Sequence, residues 1–481
     1  MAIHTDNQDT KRAKRPVKVL QFGEGNFLRA FADWMIDVAN EKGATDLGIA
    51  IVKPRSGKST VIDTLNRQGC VYHVVLEGVE GGQPKRSIRR ITSVETALTP
   101  DDHRQYEELI LSDDLRFVIS NSTEAGIRYA QDDVTATVPS TFPGKVTNML
   151  WRRFRHFNGD RTKGLLFLPC ELIEDNGARL KEYVLRHASE ANLGSEFTEW
   201  VEHSCAFADT LVDRIVSGAP ENPEKEKAEI GSDDNAIVKG ELYSLWVIGG
   251  DRADEFADEL PLHKAGLNVR FTNSVKDYRD KKVRILNGSH TGMVAMSLLA
   301  GYETVMDAFA DKEISAFISR MVRDEVLPVI EGDRKELEEF ADGILERFLN
   351  PFVRHQLKSI ALNSLSKWEV RNYITAQDYW DKFGRTADYE LFTLASLLAL
   401  YAPGSGFTPD DTPAAVEFIH REWDDSDMFS TVDKILGSGH VFTIDLGSAV
   451  PGLTEKVAEY AGCIRSKGIR AALTDFLRKH E

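Results

Sequence analysis

Cysteine is scarce and scattered in this chain. Its 481 residues include four cysteines, Cys70, Cys170, Cys205 and Cys463, with no C-x-x-C pair and no histidine at metal-ligand spacing. That pattern excludes a disulfide framework and a thiolate zinc site, so no metal is expected and a reducing compartment fits. Positive charge is in deficit: 59 Lys and Arg face 76 Asp and Glu, a formal net charge of −17. Nucleic acids and anionic membranes need a basic face, so neither is an expected partner, although a locally basic site for a small anion remains open. No apolar run reaches the ~20 residues of a transmembrane helix. The best window, Leu391 to Ala402, is short and interrupted. The opening MAIHTDNQDTKRAKRP has no apolar h-region, so a secretory signal is not expected. Lys11, Arg12, Lys14 and Arg15 read as a solvated leader, and the expected location is the cytoplasm.

The content that is present, 42% hydrophobic and 28% charged, is that of an ordinary globular protein. The length predicts two or three domains, because a single core seldom grows past ~250–300 residues. VKVLQF (17–22) and LGIAIVK (47–53) read as buried strands around a helix marked by Phe27, Leu28, Phe31, Trp34, Met35 and Val38. RFVIS (116–120) and GLLFLP (164–169) are further strand candidates, and this alternation predicts a mostly parallel sheet with ligands at its carboxyl ends. The charged stretch 221–235 reads as an exposed loop. Beyond residue 275 helical periodicity takes over, at 284–301, 303–330, 334–349, 351–371, 387–402, 413–424 and 453–480, with VFTIDL (441–446) as a possible strand. The expected organisation is an α/β domain over 1–274 followed by a helical domain over 275–481.

Gly23 and Gly25 lie between a strand and a helix, where glycines let backbone approach a pyrophosphate, or simply make a tight turn. The third glycine of the usual fingerprint is missing. Arg29, in the first helical turns, is placed to reach a phosphate oxygen. The second strand ends Val52-Lys53-Pro54-Arg55 without the acid that normally holds ribose hydroxyls, so a 2′-phosphate is not excluded. SNSTEAGI (120–127) offers hydroxyls and backbone donors to a nicotinamide ribose, with Thr123 and Glu124 as cofactor contacts, or else a helix start capped through the same two residues.

In KKVRILNGSHTGM (281–293), Asn287 and His290 are three apart and share a helical face. Lys282 lies further round, ahead of the first regular turn. An ammonium that protonates an alkoxide, an amide that donates to the same oxygen and an imidazole that orients hydroxyls are the parts of a carbonyl reduction. In the reverse oxidation Lys282 acts as base, aided by repulsion from Arg279, Lys281 and Arg284. A solvated basic turn followed by a core helix is the competing reading.

The spacing Lys282-x4-Asn287-x2-His290 resembles the signature of the mannitol dehydrogenase family of polyol-specific long-chain dehydrogenases. LQFGEGNFLRAFADW (20–34), SNSTEAGI (120–127), PCELIEDNG (169–177), TLVDRIV (210–216) and NPFVRHQLKSIALNSLSKW (350–368) are similar to its hexuronate branch. The resemblance implies a Rossmann-type domain, a helical domain and zinc-independent chemistry in a site between the two domains. It also implies NADH-dependent reduction of a 5-keto-hexonate, tagaturonate to altronate. It assigns Lys282 as general acid/base, Asn287 as oxyanion donor and His290 as substrate-binding and catalytic support. Val19 to Ala30 becomes the cofactor segment, with Phe22, Gly23, Glu24, Gly25, Asn26, Phe27 and Arg29 in contact. Asp213 and Arg214 match a family pair near the site, or form a buried ion pair. Leu172 stands where mannitol dehydrogenases carry a second oxyanion asparagine, which points away from polyols. Arg354, His355 and Lys367 are candidates for gripping a substrate carboxylate, with solvation on a helix surface the alternative fate. The competing activities are fructuronate reduction or mannitol-type oxidation. From other classes come a non-catalytic dinucleotide sensor and, more remotely, a methyltransferase.

Overall fold

The computed structural model describes residues 3–6, 14–122 and 126–480. It divides into two compact units, residues 1–78 with 84–276 and residues 79–83 with 277–481.

The first unit is organised by a six-stranded sheet. Its strands are β1 (Val17–Phe22), β2 (Gly48–Val52), β3 (Val94–Leu98), β4 (Phe117–Ser120), β5 (Leu166–Pro169) and β6 (Ala206–Phe207). Every pairing is parallel, and the spatial order is β3-β2-β1-β4-β5-β6. This is the strand order of a dinucleotide-binding sheet, which reverses direction between β1 and β4. The inner strands are buried on both faces, which is why VKVLQF and GIAIV are apolar runs rather than alternations. After β1 the chain turns through Gly23-Glu24-Gly25 into helix α1 (Asn26–Ala30), kinks at Phe31 and continues as α2 (Ala32–Glu41). The apolar stripe holds across the kink, with Phe27 stacked on Phe31 at 5.0 Å.

Two smaller sheets accompany this core. One contains Tyr72–Glu80 and Gln83–Ile91, and the other Asp209–Asp213, Leu245–Gly249 and Val269–Thr272. The strand QPKRSIRRI is basic, yet Arg86 and Arg89 are buried in it. Each is compensated: Arg86 by Glu77, Glu226 and Glu229, and Arg89 by Asp37 and Glu41. Glu226 also overturns the loop expected at 221–235. A helix forms over Pro223–Ile230, started by the Asn222 side chain accepting from Lys225 N at 3.1 Å and ended by left-handed Gly231. Its ion pair with Arg86 fixes one face inward.

The second unit is helical. The elements needed below are α3 (Gly288–Leu299), α4 (Arg334–Phe348), α5 (Ser364–Arg371), α6 (Tyr373–Phe383), α7 (Asp388–Tyr401) and α8 (Leu453–Lys467). α7 is buried along almost its whole length, and its sequence is correspondingly apolar all round. Several long periodicities are interrupted. The stretch 303–330 breaks at Asp311, whose carboxylate caps the next helix, and then passes into a π turn over Met321–Val326. The run 453–480 breaks at Gly468, with φ of +79°. VFTIDL does not form a strand. Its Thr443 is held by the Glu369 carboxylate, and no neighbouring strand pairs with it among the described residues.

The first turn of α7 rests on a buried acid. Glu325 accepts from the Tyr389 and Glu390 N–H groups, both at 2.9 Å. Burial raises the Glu390 carboxyl to about 8, against the opposing pull of the Asn372 amide and the Arg284 charge. The folded chain therefore keeps a proton that the unfolded chain releases near 4.5. Stability from this group falls as pH rises between those two values. Glu390→Gln is expected to melt above the wild type at pH 8, with the gap closing by pH 5. Glu325, raised in the same direction by burial and by Glu390 and Asp388, keeps part of the slope in the variant. Thermal melts at the two pH values check this.

Candidate active site

In the first unit, the turn after β1 faces the loop after β4. Gly23 has φ of +136°, donates its N–H to Val52 O at 3.0 Å, and lies so close to Asn121 that a Cβ would sit 3.2 Å from its carbonyl oxygen. Only glycine suits that position. A Cβ on Gly25 would meet nothing within 4 Å, so its backbone and the start of α1 are open to a cleft of about 810 Å³. Glu24 and Asn26 line the same cleft, with Asn121 and Ser122 opposite and Lys53 and Arg55 at its edge. A bare backbone at a helix start, set at the reversal point of a parallel sheet, fits a dinucleotide pyrophosphate.

The individual side chains divide. Phe22 is buried and packs edge-on against Phe142 at 5.3 Å, while Phe27 packs on Phe31, so both shape the turn from behind. Arg29 does not extend toward a phosphate. Its three nitrogens donate to Glu24 O, Ala236 O and Asn26 Oδ1, at 3.1, 2.6 and 2.7 Å, which rigidifies the glycine turn. Lys53 is likewise turned onto Gly57 O and Lys58 O, while Arg55 stays exposed. Thr123 and Glu124 lie outside the described residues.

Glu171 is a contributor that motif reading passed over. Its buried carboxylate accepts from Ser120 Oγ at 3.0 Å and from Ser122 N and Oγ, both at 2.9 Å, clamping the loop that lines the cleft. Burial pushes its carboxyl up while these donors pull it down. An acid closing an apolar strand was the available signal. The adjacent Leu172 is 64% exposed, unusual for leucine. Arg214 does not pair with Asp213. It donates to Ala30 O, Tyr243 O and Leu242 O and stacks on Trp34 at 4.3 Å, and burial lowers its guanidinium to about 9.

In the second unit, the helix Lys276–Lys281 passes directly into a π turn over Lys282–Asn287 and then into α3. Lys282 thus opens the wide turn instead of preceding the helix. In an α-helix residues five apart are about 140° apart, whereas the wider i→i+5 register of a π turn brings them toward one face. Lys282 and Asn287 are such a pair. The neighbouring cations are occupied: Arg284 pairs with Asp378 at 2.6 Å, and Lys281 lies over the Tyr278 ring at 5.3 Å.

His290, on the first turn of α3, stacks on Phe348 at 4.5 Å and meets His355 edge-on at 5.2 Å. Both His290 and Asn287 are half-buried, and neither is among the fully buried polar atoms left without a partner. Burial, with His355, Arg347 and Arg371 nearby, holds the His290 imidazole well below its ordinary range, so it is neutral at pH 7. His355 is lowered the same way by burial.

Arg371 is the second residue missed. It donates to Thr291 Oγ1 at 3.2 Å, and burial lowers its guanidinium with no carboxylate among the described residues to offset it. Lys367, one turn earlier on α5, donates to Ile360 O at 3.0 Å and feels Arg371. Their i,i+4 spacing was the clue to a shared face. The structure thus gathers His290, His355, Lys367 and Arg371. Arg354 stands apart, 77% exposed and 3.8 Å from exposed Glu303. Among the described residues no group of three His, Cys, Asp or Glu side chains is placed to hold a metal ion. No helix among them is long and apolar enough to cross a membrane.

Residues 17–261 match the family described as the mannitol dehydrogenase Rossmann domain, and residues 274–459 match the mannitol dehydrogenase C-terminal domain. The chain belongs to the mannitol dehydrogenase family. As a member it is an oxidoreductase with a Rossmann-type domain followed by a helical domain, the family and folds that its motifs led us to expect. It is 40% identical to an altronate oxidoreductase of Bacillus subtilis over 466 residues, covering 96% of this chain and 95% of the relative. It is 37% identical to an altronate oxidoreductase of Phocaeicola vulgatus over 475 residues, covering 96% and 98%. Among solved structures, a D-sorbitol dehydrogenase in substrate-free form superposes with a TM-score of 0.79 at 23% identity, covering 98% and 97% of the two chains. A Pseudomonas fluorescens mannitol 2-dehydrogenase, in ternary complex with NAD and D-mannitol, gives 0.68 at 22% identity, covering 99% and 97%. At those identities the likeness is one of fold.

Proposed function

We propose that this family member reduces D-tagaturonate to D-altronate with NADH. Residues 1–274 would serve the dinucleotide and 275–481 the substrate and the chemistry. The observation that carries the reading is Arg371, a half-buried cation with no carboxylate partner among the described residues, close to the neutral His290. A buried charge is costly unless paired, and an anionic substrate supplies the missing partner. A polyol does not. The names of the relatives point the same way.

NADH, when bound, supplies the hydride to the keto carbon. The Gly23–Asn26 backbone and the start of α1 receive its pyrophosphate, and Ser122, fixed by Glu171, offers a hydroxyl to its ribose. Lys282 gives its ammonium proton to the oxygen that becomes the new alcohol, and takes one back in the oxidation. Asn287 donates its amide N–H to that same oxygen as charge develops there. His290, uncharged, orients substrate hydroxyls through its ring nitrogens, while Arg371, Lys367 and His355 hold the carboxylate end. Asp213, which matches the family pattern, would contact the substrate. The exposed Arg55 leaves room for NADPH, which the assay separates. A cytoplasmic location fits the chemistry.

The test is absorbance at the reduced-cofactor band with tagaturonate, fructuronate and fructose, each with NADH and NADPH. Turnover of tagaturonate with NADH, well above fructose, is expected. Activity confined to fructose would overturn the assignment.

A further inference from the structure

The π turn that carries Lys282 and Asn287 is an unfavourable local geometry, and something outside it must hold its register. Behind it lies a line of buried polar groups that the proposed chemistry does not use. Asn372, fully buried at the junction of α5 and α6, donates its amide to Gly288 O at 3.1 Å and to Glu390 Oε2 at 2.8 Å. Gly288 is the first residue after the π turn, where the hydrogen-bond ladder changes from five-residue to four-residue spacing. Glu390 is fixed in turn, its backbone N–H held by Glu325, which sits in the second π turn. The other end of the catalytic turn is tied by Arg284 to Asp378 on α6. The Asn372 amide orientation follows from its partners: the nitrogen meets two acceptors, while Oδ1 meets no donor among the described residues.

We propose that Asn372, anchored by Glu390, is a positioning residue that keeps Lys282–Asn287 in the π register and so keeps the amine and the amide on one side of the helix. Without that support the turn relaxes toward α geometry, and residues five apart diverge by about 140°. The inference rests on the reading of Lys282 as the proton donor. The near-neutral state of Glu390 suits the role, since a carboxyl that stays uncharged neither repels nor captures groups in the turn.

Asn372→Leu keeps the branched shape and removes both donors. The expected result is a fall in kcat of at least tenfold, with KM for NADH within twofold of the wild type. Amide exchange should speed up over residues 282–290 and stay unchanged in α8. Glu390→Gln retains an acceptor for Asn372 and should stay within threefold in kcat, whereas Glu390→Leu should behave like Asn372→Leu. A kcat within twofold of the wild type in Asn372→Leu, or equal losses in the two Glu390 variants, overturns the proposal. So does exchange that accelerates uniformly through the helical unit. Should Asn372→Leu fail to fold, Asn372→Ser and the Glu390 pair give the same decision. Lys282→Ala, measured alongside, separates the two readings. If it retains turnover the catalytic assignment has failed, and if it is inactive while Asn372→Leu is not, only the positioning role has.

Discussion

Lys282→Ala is expected to lower kcat by roughly 10²–10⁴, the usual worth of a positioned general acid. Its cofactor affinity should be unchanged. The amine sits at the head of the π turn, and the glycine turn proposed to receive the dinucleotide is built from residues of the other compact unit, with its own packing and hydrogen bonds. Lys282→Arg is not expected to rescue, because a guanidinium is too weak an acid to surrender its proton to an alkoxide. Single-turnover absorbance, with cofactor affinity read from quenching of protein fluorescence, separates the two effects. A protein that only senses dinucleotides would bind equally well with or without the amine and would show no turnover to lose.

Arg371→Ala should act on a different parameter. Loss of a charge-assisted contact to a carboxylate costs roughly 2–5 kcal/mol, or about 30-fold to several thousand-fold in kcat/KM for the keto-hexonate. Most of that should fall in KM, since the carboxylate is gripped equally in ground and transition states. Fructose, which has no carboxylate, is the control, and its weak turnover should change little. Arg354→Ala is a second control. Its exposed contact with Glu303 at 3.8 Å is worth little, and the kinetics should stay within twofold. An unchanged KM for the keto acid in Arg371→Ala would remove the main support for an anionic substrate.

What the sequence determined by itself was whatever depends on local pattern. The apolar runs of β1 and β2, the glycine turn between strand and helix, and the change to helical periodicity after residue 275 are all short-range signals, because burying apolar surface leaves a period in the chain. The spacing of Lys282, Asn287 and His290 was legible for the same reason. Tertiary structure decided the fate of charged and polar groups, because a buried charge is tolerated only by partners distant in sequence. Arg86 makes a basic segment a strand through Glu77, Glu226 and Glu229, and the last two draw 223–230 into a helix. Arg29 and Arg214, both plausible ligand contacts from their positions, are turned onto backbone carbonyls and so become structural. Arg371 meets no offsetting acid among the described residues, which is what makes it the proposed carboxylate contact. The π turn belongs to this second class too. Nothing in KVRILN announces a five-residue register, since it is the surrounding helices and the buried Asn372 amide that hold it.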